Sequence, residues 1–430
     1  MPPRQYSKEQ SDVGKATKRI TLPIELAAYR ELAADGARFR QWLDRMIACY
    51  PELFPSAISA GYTLHDWLPA GKKLPAVRFR RIKLKQPDEA GQALILTIAS
   101  SAVLPYMSGY TDEVEKALFL RRFGVPFWGL TYVFGRDDSY WYRLTASFGR
   151  YDIVGTTVKE PTRLPAHLLA DEKHVHFNGE KGYIATTVGA DCVLGASLAL
   201  AADEAALTDA YAAFQREAQG LVPDYAPQTV NTDGWWGTQR AWCALFPGVV
   251  LIACFLHAFL KIRDRAKRRF KQQWPAIQQQ VWDVYHAADP TQLHERVATL
   301  QAWAQQTISG TALEAIEKLC AKADRFALAF AYPDAYRTSN MVDRHMAPLE
   351  RWLASARHFH GHWRSAEHQV RAWALLHNYW PYCPRAAISQ RARSPAHHLN
   401  RALYHENWLH NLLIATSATG LQAHHRKRQN

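Results

Sequence analysis

Asp171 and Asp233 each follow an apolar run that reads as a buried strand, Ala166-His-Leu-Leu-Ala before the first and Thr229-Val230 before the second. A carboxylate at the mouth of a buried strand is costly unless a cation sits beside it. Mg2+ suits the position: it is a hard ion that takes a few carboxylate oxygens and completes its octahedron with water. Two such ions about 3.5–4 Å apart clamp the attacking and leaving oxygens of a phosphodiester, so that water or a 3′-OH reacts without a strong base. Three carboxylates from distant parts of a chain are enough for that site. Either acid alone reads as an ordinary surface residue; the two together, in the element order below, favour the metal role. Glu172 follows Asp171 directly, so a strand sends it to the opposite side.

The stretch around Asp233 is the densest in the chain. Asp233 opens a Gly-Trp-Trp turn, a helical stretch runs from Thr238 to Leu245, and Pro247-Gly248 stops it. A β-rich run, Val249 to Ile252, leads to Cys254-x-x-His257 and then to a helix carrying Lys261, Arg263, Arg265, Lys267, Arg268, Arg269 and Lys271. Those cations are expected to hold a polyphosphate backbone. Cys254 and His257 share a helix face and amount to half a tetrahedral zinc site. No other Cys/His pair has ligand spacing, although His345, His358, His360 and His362 remain as further donors. The expectation is a packing or hydrogen-bonding role near the acids, without zinc.

A chain of 430 residues has room for two or three domains, and its 48% hydrophobic content supports a sizeable core. The net charge of +13 points to a polyanionic partner, nucleic acid first. With 15 Trp and 19 Tyr among the cations, base stacking is an available use, although most Trp residues are core residues. The Cys residues are scattered without paired spacing, which fits a reducing cytosol. The first residues, MPPRQYSKEQSDVGK, hold no apolar run of signal-peptide length. Ala241 to Leu260 resembles a membrane span in composition, but Pro247-Gly248 splits it and His257 interrupts it, so no membrane association is expected.

In order, residues 1–20 read as a flexible basic arm. Residues 21–60 have helical patterning through Leu26, Tyr29, Leu32, Phe39, Trp42, Leu43 and Met46. Val77 to Lys85 alternates apolar and basic residues, Pro87-Asp88-Glu89 signals a turn, and Ala93 to Ile98 is a second strand. The hairpin's basic face suits a DNA backbone or plain solvent equally. Thr111 to Gly149 reads as short helices capped by Thr111 and by Asp137 or Asp138, a helix-turn-helix pattern. Tyr140 and Arg143 share a face of its last helix, which makes Arg143 a candidate base contact. The N-terminal DNA-binding region is therefore placed at 21–165. From 166 to 271 come three antiparallel strands with turns at Asn178-Gly179 and Gly189-Ala190-Asp191, a helix over Glu204–Gln219, then the strand into Asp233. This is the order of an RNase H-like α/β core. Residues 272–330 form an all-α insertion, 331–380 complete the core, and 381–430 are a basic C-terminal region ending in Arg426-Lys427-Arg428.

From about 165 to 345 the chain resembles the Mutator-type transposases of bacterial insertion sequences, within the DDE superfamily. The residues that carry the likeness are Leu-Ala-Asp171-Glu, Asn-Thr-Asp233-Gly-Trp, Cys254-x-x-His257 and Thr338-Ser339-Asn340-Met-Val-Asp343-Arg344. The last resembles the family's Thr-Thr-Asn-x-x-Glu-Arg signature, with Asp in place of Glu at 343. The resemblance implies a catalytic and metal-binding triad of Asp171, Asp233 and Asp343, holding two Mg2+ ions or Mn2+ in their stead. It implies cleavage and strand transfer of double-stranded DNA at terminal inverted repeats. It also implies a homo-oligomer on paired ends and a cytoplasmic, nucleoid-associated bacterial protein. The shorter Asp343 needs its backbone closer to the metal by roughly 1.5 Å. Glu350 is the rival third acid, because Pro348 disfavours a helix through 344–348 and can open a new one with Glu350 in its first turn. On one continuous helix the two acids lie about 10.5 Å apart along the axis and cannot share a role. A non-catalytic DNA-binding protein descended from a transposase, a repressor or an architectural protein, is the alternative; an RNase H-like nuclease without strand transfer is a third.

Overall fold

The computed structural model describes residues 18–87, 91–355 and 359–417. The expected turn at Asp88-Glu89, His358, most of the expected basic arm and the Arg426-Lys427-Arg428 tail lie outside them. The chain is mixed α/β, with two mixed sheets.

The first sheet is built from β1 (Arg19–Leu22), β2 (Tyr62–Trp67), β3 (Arg80–Leu84) and β4 (Ile95–Ser100), with α1 (Leu26–Ala34) and α2 (Gly36–Cys49) alongside. Strand order is β1-β4-β3-β2, and only the β1–β4 pair is parallel. Tyr29, Phe39 and Phe79 pack at its centre, with Tyr29 edge-on to both phenylalanines. On β3 the expected alternation is realised: Ile82 and Leu84 are buried, and Lys83 and Lys85 face outward.

Four helices follow: α3 (Thr111–Leu120), α4 (Phe127–Phe134), α5 (Asp138–Phe148) and α6 (Ile153–Thr157). Thr111 does not cap α3. It is the first helical residue, fully buried, and its hydroxyl donates to the Ser101 carbonyl at 2.6 Å. Asp137 does cap α5, accepting from the Tyr140 amide at 2.7 Å. Tyr140 itself is buried with Trp141, Leu144 and Phe148, so it is unavailable to read a ligand. These helices share one core with the second sheet and the C-terminal helices. The packing therefore does not divide near residue 165; it divides where the first sheet ends, near residue 103.

The second sheet holds β5 (His167–Phe177), β6 (Glu180–Gly189), β7 (Cys192–Ala199), β8 (Thr229–Thr232) and β9 (Val250–Ala253) in the order β7-β6-β5-β8-β9. The pairs β5–β6 and β6–β7 are antiparallel; β5–β8 and β8–β9 are parallel. Positive φ at Asn178 and Gly179, and at Ala190 and Asp191, makes the two hairpin turns. Between β7 and β8 runs α7 (Glu204–Leu221); α8 (Trp236–Leu245) and α9 (Phe255–Ala266) flank β9. The apolar stretch 241–260 is thus divided among three elements, and among the described residues no helix is long and apolar enough to cross a membrane. Helices α10 (Trp274–Tyr285), α11 (Pro290–Thr307), α12 (Gly310–Cys320) and α13 (Ala323–Ala327) share a core with α9.

The chain closes with α14 (Asn340–Ala354), α15 (Trp363–Tyr379), α16 (Pro395–Asn400) and α17 (Trp408–Ala415). Helix α15 is buried nearly all round and carries polar groups into the core. Arg371 forms an ion pair with Glu217 of α7 and donates to the Gly149 and Tyr151 carbonyls at 3.0 and 2.8 Å. Only glycine fits at 149, since a Cβ there would lie 1.9 Å from the His368 carbonyl oxygen. Burial pushes His368 down to about 4, helped by repulsion from Arg150, Arg364 and Arg371. Burial also holds His377 well below its ordinary value, beside His345, Arg122 and Arg351.

A histidine kept neutral in the fold but free to protonate in the unfolded chain stabilises the fold fully above pH 6.5. That stability is lost as pH falls from 6.5 toward the folded value. The urea midpoint is expected to drop between pH 6.5 and about 4. In His368→Gln the drop should be smaller by about 2 kcal/mol of unfolding free energy; equal slopes in the two proteins would exclude this origin.

Candidate active site

Asp171 is not at a strand end. It is the fifth residue of the eleven-residue β5, two positions past the last parallel pair, Leu169 with Asn231 of β8. Asp233 lies two positions past that same pair on the other chain segment, just beyond Thr232. The shared register therefore sets the two acids level on neighbouring strands, facing one side. The alternation of the strand sends Glu172 to the other face, where it accepts from Tyr211 Oη at 2.6 Å and Thr238 Oγ1 at 2.7 Å. Burial pushes the Glu172 carboxyl up to about 7, against those two hydrogen bonds.

Asp343 reaches the same side by docking of the 336–339 segment. Asn231 Nδ2 donates to the Tyr336 carbonyl at 2.9 Å, and the Phe255 amide donates to the Arg337 carbonyl at 3.1 Å. The Ser339 amide donates to Cys254 Sγ at 3.2 Å. Ser339 Oγ then donates to Asp343 Oδ2 at 2.9 Å and lies 3.3 Å from His257 Nδ1. Cys254 and His257 are thus the receptor for the segment that carries Asp343. Sequence reasoning placed Cys254-x-x-His257 near the acids but missed Ser339 as the link. The Thr-Ser-Asn run was the available signal.

The electrostatics match this convergence. Burial raises Asp171 to about 6, with Asp233 and Asp343 adding repulsion and His257 opposing it. His257 is raised to about 9, first by its hydrogen bond with Cys254 and also by the charges of Asp171 and Asp233. Burial alone would raise the Cys254 thiol, yet hydrogen bonds with His257 and Ser339 bring it below its ordinary value. Each side chain of the pair thus favours the charged form of the other.

Glu350 stands elsewhere. Helix α14 runs unbroken through Pro348, so Glu350 does not open a new helix; it lies two turns beyond Asp343 and pairs with Lys173. Arg344 turns away from the acids to Asp191, at 3.3 Å. Among the described residues, no group of three or more His, Cys, Asp or Glu stands close enough to hold a metal ion. In kind, the donors at Asp171, Asp233 and Asp343 suit Mg2+: they are hard oxygens that repel one another.

The expected cationic grip is less regular than a single helix. Helix α9 ends at Ala266, so Lys261, Arg263 and Arg265 are helical while Lys267 and Arg268 lie in the turn after it. Lys261, Arg265, Lys267 and Arg268 are exposed; Arg263 is half-buried and pairs with Asp264 at 2.9 Å. Arg143 is exposed on α5, 3.9 Å from Asp137. A second set of cations borders Asp233. Lys322 Nζ lies 3.4 Å from where a Cβ on Gly234 would sit, and Arg325 donates to Gln239 of α8 at 3.3 Å.

Replacing Cys254 by Ala removes the first cause of the raised His257 value. An NMR pH titration of the imidazole is expected to show its midpoint falling from about 9 toward the ordinary histidine range; an unmoved midpoint would place the cause in the carboxylates instead. No protein-family model matches this chain, and no curated protein sequence matches it.

Proposed function

We propose that the chain is a DDE-type transposase that cleaves and joins DNA at the ends of an insertion sequence, on an RNase H-like core. The observation that supports this reading best is the register of β5 and β8, which sets Asp171 level with Asp233, together with the docked segment that adds Asp343. Three antiparallel strands followed by two parallel ones, in the order β7-β6-β5-β8-β9, are the arrangement expected of that core. In this reading the helices from α10 to α13 are the all-α insertion, and the resemblance to Mutator-type transposases rests on the motifs that carry the three acids.

In this reading Asp171, Asp233 and Asp343 would hold Mg2+ by drawing closer together than they stand here, and the ion would supply activation of the attacking oxygen and charge stabilisation of the leaving one. His257 and Ser339 position Asp343. Lys322 and Arg325 beside Asp233, and Lys261, Arg265, Lys267 and Arg268 along and beyond α9, attract the DNA backbone; Arg143 is the candidate base contact. Double-stranded DNA is the partner, with self-assembly on paired ends, in a bacterial cytoplasm. Mn2+ is expected to substitute for Mg2+.

The deciding experiment incubates the full chain with Mg2+ and DNA flanking its own coding sequence. Strand-transfer products support the proposal, cleavage alone indicates a nuclease, and binding alone indicates a non-catalytic descendant, the reading that Asp in place of Glu at 343 keeps open. Asp171→Asn, Asp233→Asn and Asp343→Asn are each expected to lower cleavage by at least about a hundredfold while changing DNA affinity less than about twofold, because one lost carboxylate removes the ion clamp and leaves the phosphate contacts in place. Glu350→Gln is expected to cleave at the wild-type rate and to lose no more than about 1 kcal/mol of stability, since it gives up a largely exposed ion pair. Loss of cleavage in Glu350→Gln with full activity in Asp343→Asn would reverse the choice of third acid.

A further inference from the structure

Trp235 and Trp236 follow Asp233 almost at once and are 53% and 58% exposed. Neither is needed by the core, whose Trp242 lies on the buried side of the same helix. Trp235 is nonetheless held in place. Its amide donates to Asp233 Oδ1 at 2.7 Å, and its indole Nε1 donates to the Ala202 carbonyl at 2.7 Å. Gly237 makes room for that contact, since a Cβ there would lie 2.4 Å from the same carbonyl oxygen and 3.2 Å from the indole nitrogen. Trp236 carries the Arg240 guanidinium 5.5 Å from its ring centre. Lys322 approaches the Gly234 turn, and Arg325 reaches Gln239 from α13. Two exposed indoles, one of them pinned, thus stand between an acid and cations from two separate elements.

A duplex hides the faces of its bases, whereas an unpaired base offers a face to any exposed ring. Aromatic side chains bordered by cations are how proteins hold single strands, each base–aromatic stack having a substantial effect on affinity. Cations on Trp faces add to that hold. We propose that Trp235 and Trp236 form a stacking step for an unpaired base of the DNA strand whose phosphate lies at Asp171 and Asp233, with Arg240, Lys322 and Arg325 holding that strand's backbone. This rests on the functional reading above and adds that the substrate is locally melted at the bond to be cut. Trp235 is fixed by its hydrogen bonds and acts as the floor; Trp236, with no hydrogen bond to the fold in its ring, is the residue to substitute.

The test separates this inference from the functional reading by measuring binding first. Full-length protein, Trp236→Ala, Trp236→Phe and Arg325→Ala are titrated against a single-stranded oligonucleotide carrying 2-aminopurine and against a blunt duplex of the same sequence. Trp236→Ala is expected to weaken single-strand binding about tenfold and to abolish 2-aminopurine quenching, with duplex affinity changed less than about twofold. Trp236→Phe should retain most of the wild-type behaviour, and Arg325→Ala should weaken single-strand binding without changing the quenching at saturation. Unchanged single-strand binding and quenching in Trp236→Ala would overturn the inference, as would an equal loss on both substrates. In the cleavage assay, a mismatch beside the scissile bond should restore Trp236→Ala on an otherwise poor paired substrate; wild-type cleavage of the fully paired substrate by that variant would overturn the stacking step while leaving the transposase reading intact. A wild-type protein that cleaves nothing would overturn the transposase reading, and the binding results would still decide the stacking step.

Discussion

Like-charge repulsion among three carboxylates is what the surrounding structure has to hold in check. Asp171 is desolvated and feels both Asp233 and Asp343, so its charged form is disfavoured before any ligand is considered. The parallel ladder between β5 and β8 keeps two of the acids level whatever their charges prefer. The third is fastened from outside the sheet, through Ser339 to Cys254 and His257. His257 opposes some of the repulsion at Asp171. Glu172 adds less to it than its place in the sequence suggests, because the pleat turns it away and Tyr211 and Thr238 both donate to its Oε1. The cluster is thus a product of sheet register and of one docked segment, and both join stretches that lie far apart in sequence.

What the sequence made legible follows from how local the signals were. The five strands of the second sheet, their turns and the two strand-borne acids are each announced within about ten residues by apolar runs and turn-forming pairs. Pro348 misled because its penalty of about 3 kcal/mol is also a local signal. Helix α14 absorbs it by burying Val342, His345, Met346, Leu349 and Trp352 along one face, and tertiary burial outweighs propensity. Strand β1 escaped notice because four residues make no pattern, and its partner β4 lies far along the chain. The burial of Tyr140 beside an exposed Arg143 was illegible for a related reason: helical spacing identifies a face but not what covers it.

Helix α15 was illegible for a different reason. Its Arg, His and Asn residues look like a solvated basic surface, yet all but Arg364 are interior groups. Three of them have partners from other segments. Arg371 meets Glu217, His377 lies 2.7 Å from His345, and Asn378 bonds the backbone of Val193 at 2.8 Å through both its oxygen and its nitrogen. A buried polar group is tolerable only when paired, and those pairs exist only once α7, β7 and α14 are in place. The composition of this stretch therefore reported charge, while its burial depended on contacts that a linear reading does not contain.

The same long-range pairing bears on how the two sheets work together. Helix α17 places Ile414 in the core of the first sheet, and Ser417 bonds both the amide and the carbonyl of Thr21 on β1, at 2.8 and 3.0 Å. The rest of α17 packs into the core of the second sheet. One short helix thus fastens the first sheet to the body that carries the acids, so the outward face of β3 keeps a fixed relation to them. Part of that face's positive charge is already spoken for, since Arg81 pairs with Asp66 on β2. Lys83 and Lys85 remain exposed. A hairpin whose leading arginine is neutralised by its own sheet is a weaker polyanion grip than its sequence suggests, and the cations that border Asp233 gain importance accordingly.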